Sequence, residues 1–140
     1  MEEGDIANIV AGEEDIFGKS LGFDMLYSEL KLNPYAHYLV LEINKEFAGY
    51  IGLWITGNNA EVVNYFVLKH YQGQGFGKLL LEFALDLCRL CGVGLISLEV
   101  RVDNEKAINL YTKYGFVFSH YRRHYYDDKT DALVLIKKLR

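Results

Sequence analysis

Apolar and polar positions along this chain change period several times, and each change marks a different kind of element. Ile6, Ile9, Val10 and Phe17 are spaced among acidic residues, which predicts a short helix over roughly 5–16. Gly18-Lys19-Ser20-Leu21-Gly22 is a turn. A second helix over about 23–32 carries Leu26 and Leu30 on one face and stops before Pro34. From His37 to Leu68 the period drops to two. His37–Ile43, Phe47–Ile55 and Ala60–Leu68 read as strands, joined at Asn44-Lys45-Glu46 and Thr56-Gly57-Asn58-Asn59. Turns this short predict an antiparallel meander with the first two helices lying over it. Gly49 and Gly52, inside the second strand, point to a bulge or a close approach.

Helical periodicity returns after the polar corner Lys69-His70-Tyr71. Phe76, Leu79, Leu80, Phe83, Ala84, Leu87, Cys88 and Cys91 form one apolar stripe, while Lys78, Glu82 and Asp86 face solvent. Gly92 stands where a left-handed cap would end that helix. Leu95–Arg101 is then a strand reached by a helical crossover, so it should run parallel to Ala60–Leu68. Ile96, Leu98, Val100 and Val102 share one face, and Leu95, Ser97, Glu99 and Arg101 the other. Asp103 or Asn104 caps a further helix running to Tyr114, which Gly115 ends. Phe116–Tyr126 and Ala132–Leu139 close the chain as a pair of strands. The expected fold is a single domain over residues 1–140 of the α+β class, three-layered: a mixed, mostly antiparallel sheet with helices on both faces.

The strand–loop–helix unit from Asn64 to Gly92 carries the most specific chemistry. Its loop reads Gln72-Gly73-Gln74-Gly75-Phe76-Gly77-Lys78. The first turn of a helix presents N–H groups without partners and the positive end of the dipole. Glycines there let an anion approach the backbone, and Lys78 adds a positive charge. A phosphate or pyrophosphate is the ligand this suggests. A tight turn needing glycine for its own sake, with Lys78 merely solvated, is the bland alternative. Two familiar loops do not fit. A P-loop wants four residues between its glycines and Ser or Thr after the Lys, whereas three separate Gly73 from Gly77 and Leu79 follows Lys78. A dinucleotide fingerprint wants a longer second half than Gly75-Phe76-Gly77 provides.

Composition narrows the class. Half of the 140 residues are apolar and 14% aromatic, which excludes a disordered chain. A net charge of −4 argues against nonspecific nucleic-acid binding. No apolar run reaches membrane-spanning length, and the acidic start Met1-Glu2-Glu3-Gly4-Asp5 is unlike a signal peptide, so a soluble, cytoplasmic protein is expected. Cys88 and Cys91 form a C-x-x-C pair at the end of a helix, without the further ligands zinc needs, and read as core packing. His37, His70, His120 and His124 share no ligand spacing, so no metal is expected.

The loop pattern Gln72-x-x-Gly75-x-Gly77 resembles the acyl-CoA pyrophosphate loop of the GNAT superfamily of N-acetyltransferases. Leu98-Glu99-Val100-Arg101, Asn104, Ala107-Ile108-Asn109-Leu110-Tyr111 and Tyr114-Gly115-Phe116 extend the likeness across the core. With the tail Arg122-Arg123-His124-Tyr125-Tyr126-Asp127 and Asp131-Ala132-Leu133, the chain is similar to the RimI-like protein N-terminal acetyltransferases. The resemblance implies acetyl-CoA as cosubstrate. Its pyrophosphate would rest on Gly73, Gln74, Gly75, Phe76, Gly77 and Lys78, beside Gln72. Its pantetheine would run along the backbone of Tyr65, Phe66 and Val67, and Asn104 matches a further cofactor contact. Glu99 matches the proposed general base, Tyr111 the general acid for the departing thiolate, and Tyr126 a substrate contact.

Chemistry agrees with those roles. A protonated amine cannot attack a thioester, so its proton must go to an acceptor. An α-amine, with a pKa near 8, is about one-tenth neutral at pH 7, and a lysine amine roughly a few hundredfold less. A tyrosine hydroxyl is a fit donor to a thiolate. The plain alternatives are an ion pair of Glu99 with Arg101 or another charge, and a core-packed Tyr111. The implied acceptor is the N-terminal α-amine of a protein or peptide, a ribosomal protein among them, attacking directly in a ternary complex. A small-molecule amine and a non-catalytic acyl-CoA sensor are the rival readings, and monomer and dimer both stay open. The chain departs from the family in two places. Few residues precede the first helix for an initial strand, and Phe17–Phe23 replaces an aromatic-proline stretch beside the acceptor groove.

Overall fold

The period-two stretch folds, in the computed structural model describing residues 1–140, as β1 (Ala36–Ile43), β2 (Glu46–Thr56) and β3 (Asn59–Val67). The three pair antiparallel in chain order, as their short turns require. β4 (Leu95–Arg101) lies parallel to β3. The last two strands, β5 (Val117–Arg122) and β6 (Ala132–Lys138), pair antiparallel, and β6 also pairs with β4. The resulting six-stranded sheet has the order β1-β2-β3-β4-β6-β5. No helix is long and apolar enough to cross a membrane.

Helices cover both faces. On one, α1 (Glu3–Phe17) and α2 (Phe23–Leu32) pack Ile6, Ile9 and Leu26 onto Tyr38, Tyr50 and Phe66. On the other, α3 (Phe76–Leu90) and α4 (Glu105–Lys113) pack Leu80, Leu81, Ala84, Leu85, Cys88 and Tyr111 onto Ile51, Leu53, Ile96, Leu98 and Val100. Gly92 and Gly115 take left-handed φ values of 77° and 87° just past α3 and α4, where a Cβ would be strained.

Three expectations need correction. The buried stripe of α3 is turned by about one residue, roughly 100°, from the expected one: Leu79 and Phe83 are exposed, and Leu81 and Leu85 lie inside. This helix is apolar on more than one arc, so periodicity alone does not choose the arc that meets the sheet. Cys91, on the same side, is exposed, whereas Cys88 is buried and its thiol is pushed up to about 11, burial being the main cause. β5 ends at Arg122 rather than Tyr126, because the next residues form a hydrogen-bonded loop. In it His124 N and Arg123 Nη1 both donate to Asp131, each at 2.9 Å, and Tyr126 N donates to Thr130 O at 3.2 Å.

The feature that places the site is a failure of pairing. β3 and β4 are matched only at Asn59–Leu95, Ala60–Ile96 and Glu61–Ser97. Immediately afterwards β3 carries an extra residue, Val63, between Val62 opposite Leu53 and Asn64 opposite Gly52. A bulge bends its strand and increases the local twist, and from there β3 and β4 part. Both glycines of β2 fulfil the close-approach expectation: a Cβ on Gly52 would lie 2.9 Å from Tyr38 Cζ, and one on Gly49 would strike the Phe66 carbonyl.

Candidate active site

The wedge between β3 and β4 exposes strand backbone. Leu68 N donates to Ala48 O on the β2 side at 2.8 Å. Alternation along a strand therefore turns the N–H and C=O groups of Tyr65 and Val67 away from β2 and into the wedge. Side chains hold two of these groups: Asn64 Oδ1 accepts from Tyr65 N at 2.9 Å, and Gln72 Nε2 donates to Val67 O at 2.8 Å. Phe66, between them, turns its ring into the α1–α2 core.

At the mouth of the wedge the glycine loop passes through a single 3-10 turn, Lys69–Tyr71, into α3. Gly73 and Gly75 have φ of 77° and 88°, with open space where a Cβ would be. Gly77 is inside the first turn, its Cβ position 3.2 Å from the Tyr65 hydroxyl, which itself donates to the Gly77 carbonyl. Gln74 Nε2 braces the loop on His70 O at 3.1 Å, and Phe76 packs edge-on to Tyr71. From Gly73 to Lys78 no backbone N–H donates to any protein group, and the helix's own ladder begins with Leu79 N on Gly75 O. Such a run of unpartnered donors at the positive end of a 15-residue helix is a fitting cradle for a pyrophosphate. Lys78 is exposed beside it.

Glu99 projects from β4 on the face away from α3 and keeps 21% of its side chain exposed. Arg122 Nη1 donates to it, and the guanidinium sits 4.2 Å over the Tyr125 ring. The ion pair that the sequence offered as an alternative for Glu99 thus exists, with Arg122. Arg101 is engaged elsewhere, by Asp103 at 3.2 Å and Asp128 at 2.6 Å, and lies 4.9 Å from the centre of the Tyr126 ring. Arg123 pairs with Asp131 at 2.9 Å and stacks on Tyr121. Arg101, Arg122 and Arg123 therefore all spend their charge on internal carboxylates.

Tyr126 is pushed up to about 12, first by burial and then by the Glu99 carboxylate. Tyr111, on α4, is likewise pushed up to about 12, first by burial and then by Tyr126. Tyr126 is thus coupled electrostatically to both Glu99 and Tyr111. The Tyr111 ring packs edge-on against Phe116 at 5.6 Å and lies 6.5 Å from Tyr65 of the wedge. Its hydroxyl bonds to no protein group, and no sealed side-chain oxygen or nitrogen anywhere lacks a partner, so this hydroxyl opens to solvent. Asn104 sits apart from these groups in role: its Oδ1 accepts from Ala107 N at 3.2 Å and caps α4. No three His, Cys, Asp or Glu side chains gather as a metal site.

Sequence reasoning overlooked Asn64, Glu13 and Glu29. Glu13 and Glu29 are buried, at 0% and 6% exposure. Their signal was positional: Glu13 falls four residues after Ile9 and Glu29 three after Leu26, on the apolar faces of their helices.

Comparison with known proteins accords with this geometry. Residues 6–116 match the acetyltransferase (GNAT) family. A Bacillus subtilis (strain 168) protein named a putative ribosomal protein bS18-alanine N-acetyltransferase is 39% identical over 132 residues, covering 94% of this chain and 87% of its own. The crystal structure of the ribosomal-protein-S18-alanine N-acetyltransferase from Escherichia coli superposes with a TM-score of 0.91 at 27% identity, over 99% of this chain and 90% of that one. A chimera of the Vibrio cholerae spermidine N-acetyltransferase SpeG and hSSAT gives 0.85 at 25% identity, over 99% and 92%.

Proposed function

The chain belongs to the GNAT acetyltransferase family, and from that premise we propose that it transfers the acetyl group of acetyl-CoA to the N-terminal α-amine of a protein, a ribosomal protein foremost. The observation that carries this reading is the wedge where β3 leaves β4, with unpartnered N–H groups at its mouth and the Tyr111 hydroxyl opening to solvent beside Tyr65. Acetyl-CoA would supply the activated thioester, its pyrophosphate on Gly73–Lys78 and its pantetheine along Tyr65–Val67.

On this reading Glu99, its direction fixed by Arg122, accepts the proton of the attacking amine directly or through water. The amine nitrogen bonds to the carbonyl carbon as the carbon–sulfur bond breaks, and Tyr111 gives its proton to the departing thiolate. A hydroxyl held near 12 stays protonated at any physiological pH, so it is always loaded as a donor. Tyr126, coupled electrostatically to both, borders the acceptor. No covalent enzyme intermediate is needed.

The test is thiol release from acetyl-CoA with short peptides differing in their first residues, each with a free or blocked α-amine. Spermidine and lysine belong in the same panel, because the spermidine N-acetyltransferase chimera shares the fold. Turnover confined to free N-termini supports the proposal, and turnover on small amines alone replaces the acceptor. Tight acetyl-CoA binding with no turnover on anything replaces catalysis with sensing.

A further inference from the structure

Glu13 lies wholly inside the protein and yet accepts four hydrogen bonds, from three separate parts of the fold. Its Oε1 takes the Ser20 hydroxyl at 2.7 Å and Leu21 N at 3.1 Å, both in the turn between α1 and α2. Its Oε2 takes the Tyr50 hydroxyl of β2 at 2.7 Å and the side-chain amide of Asn64 on β3. A buried carboxylate so fully bonded carries no unmet demand. Stability is a poor reason to keep it, since apolar side chains of similar volume do as well in such places. What a carboxylate adds is direction.

The groups it directs face the site. The turn is bracketed by Gly18 and Gly22, with φ of 80° and 94°. Across solvent, Lys19 reaches Asp127 at 2.5 Å, so this turn stands opposite the loop carrying Tyr126, on the acceptor side. Asn64, held by Glu13 through its nitrogen, uses its oxygen to hold Tyr65 N, one of the backbone groups in the wedge. One carboxylate thereby joins the acceptor-side turn to the donor-side strand.

Resting on the acetyl-transfer reading above, we propose that Glu13 is a positioning residue that fixes the acceptor turn and, through Asn64, the Tyr65 amide. It touches neither substrate. Hydrogen bonds to a charged group are each worth enough that losing one translates to about tenfold or more. Glu13→Gln replaces one acceptor atom with a donor, which meets the Asn64 amide head-on at the Oε2 position and Leu21 N at the Oε1 position; the Ser20 and Tyr50 hydroxyls can turn to accept. We expect the KM for the acceptor peptide to rise about tenfold, with a smaller fall in kcat. Glu13→Gln combined with Asn64→Asp reverses donor and acceptor across the same bond and leaves an oxygen for Tyr65 N. That pair should bring KM back to within about threefold of the parent.

Full-length protein, peptide titrations at saturating acetyl-CoA and a melting curve for each variant decide the matter. A lower melting temperature and lower kcat at unchanged KM, or a raised KM that the double variant does not restore, overturns the proposal in favour of a structural role. Should Glu13→Gln fail to fold, Ser20→Ala removes one of the two ties from Glu13 to the turn, together with the Ser20 Oγ bond to Gly22 N, and leaves Leu21 N in place. It should raise the acceptor KM about fivefold, and an unchanged KM is equally fatal. A parent protein inactive on every acceptor instead removes the acetyl-transfer reading itself.

Discussion

Gly75→Ala separates the backbone geometry of the glycine loop from its side-chain chemistry. Gly75 is the N-cap of α3, with φ of 88°, and nothing lies within 4 Å of the place a Cβ would occupy. Crowding is therefore no part of the effect. The cost is conformational: a residue with a Cβ in the left-handed region loses about 1–2 kcal/mol. If the loop keeps its shape, that cost falls on folding, and for a chain of this size it lowers Tm by roughly 3–8 °C. If the loop relaxes, the N–H groups of Gly73–Lys78 lose their common aim, and the same energy appears as an acetyl-CoA Kd about 5–30-fold weaker. The two losses draw on one source, so their sum should not exceed about 2 kcal/mol. Titration calorimetry measures the second directly. Thermal shift checks it: a ligand at 100 times its Kd adds about 2.7 kcal/mol, and a tenfold weaker Kd leaves about 1.4. Gly57→Ala is the matched control, with φ of 60° and equally open space at the opposite end of β3. It should lower Tm comparably and leave Kd alone. A Gly75→Ala protein with parental Tm and parental Kd, or equal Kd changes in both variants, would refute the cradle argument.

Three further outcomes are expected. Tyr111→Phe removes a hydroxyl with no protein partner from an otherwise unchanged ring; kcat should fall at least about 100-fold with acetyl-CoA Kd and Tm nearly constant, and a fall below tenfold in pre-steady-state chemistry removes it as the acid. Glu99→Gln keeps a partner for Arg122 but cannot take a proton; it should bind acetyl-CoA normally and lose turnover, and full turnover at neutral pH eliminates the proposed base. Stability should decline on the alkaline side: Tyr111 and Tyr126 are raised to about 12, and Tyr38, Tyr50 and Tyr65 are raised further, burial being the first cause at each. The unfolded chain releases these protons near pH 10 while the fold retains them, so Tm should drop as pH climbs from about 10 toward 12. A Tm level across that interval contradicts the assigned burial.

Elements were legible in this sequence wherever one period prevailed. The meander, the crossover to a parallel β4, the glycine loop and the glycine ends of α3 and α4 followed from spacing alone. What was hidden depended on contacts far apart in the chain. Nothing near Arg122 says that it, rather than Arg101, meets Glu99, because the choice is made by the pairing of β6 between β4 and β5. Nothing near Glu13 announces that a residue 51 positions away supplies its fourth partner. The apolar surplus of α3 had the opposite fault, offering more than one acceptable inner face.

The wedge itself has a cause that runs back to residues with no chemistry of their own. Without side chains at Gly49 and Gly52, β2 lets the Phe66 carbonyl and the Tyr38 ring come close, and β3 can carry its extra residue opposite Gly52. That bulge draws β3 off β4, stranding the inward backbone groups of Tyr65 and Val67. Left bare in a sheet, such groups are costly, and here side-chain amides from Asn64 and Gln72 cover two of them. Pantetheine also carries amides. Exchanging one amide partner for another costs little net hydrogen-bond energy, so strand edge and ligand are matched in kind. The same covers keep the edge from pairing with a stray strand when no ligand is bound. On this view Gln72 is a stand-in for the cosubstrate at Val67 while Asn64, itself held by Glu13, keeps Tyr65 N in place, and the glycines of β2 are as necessary to the proposed site as those of the loop.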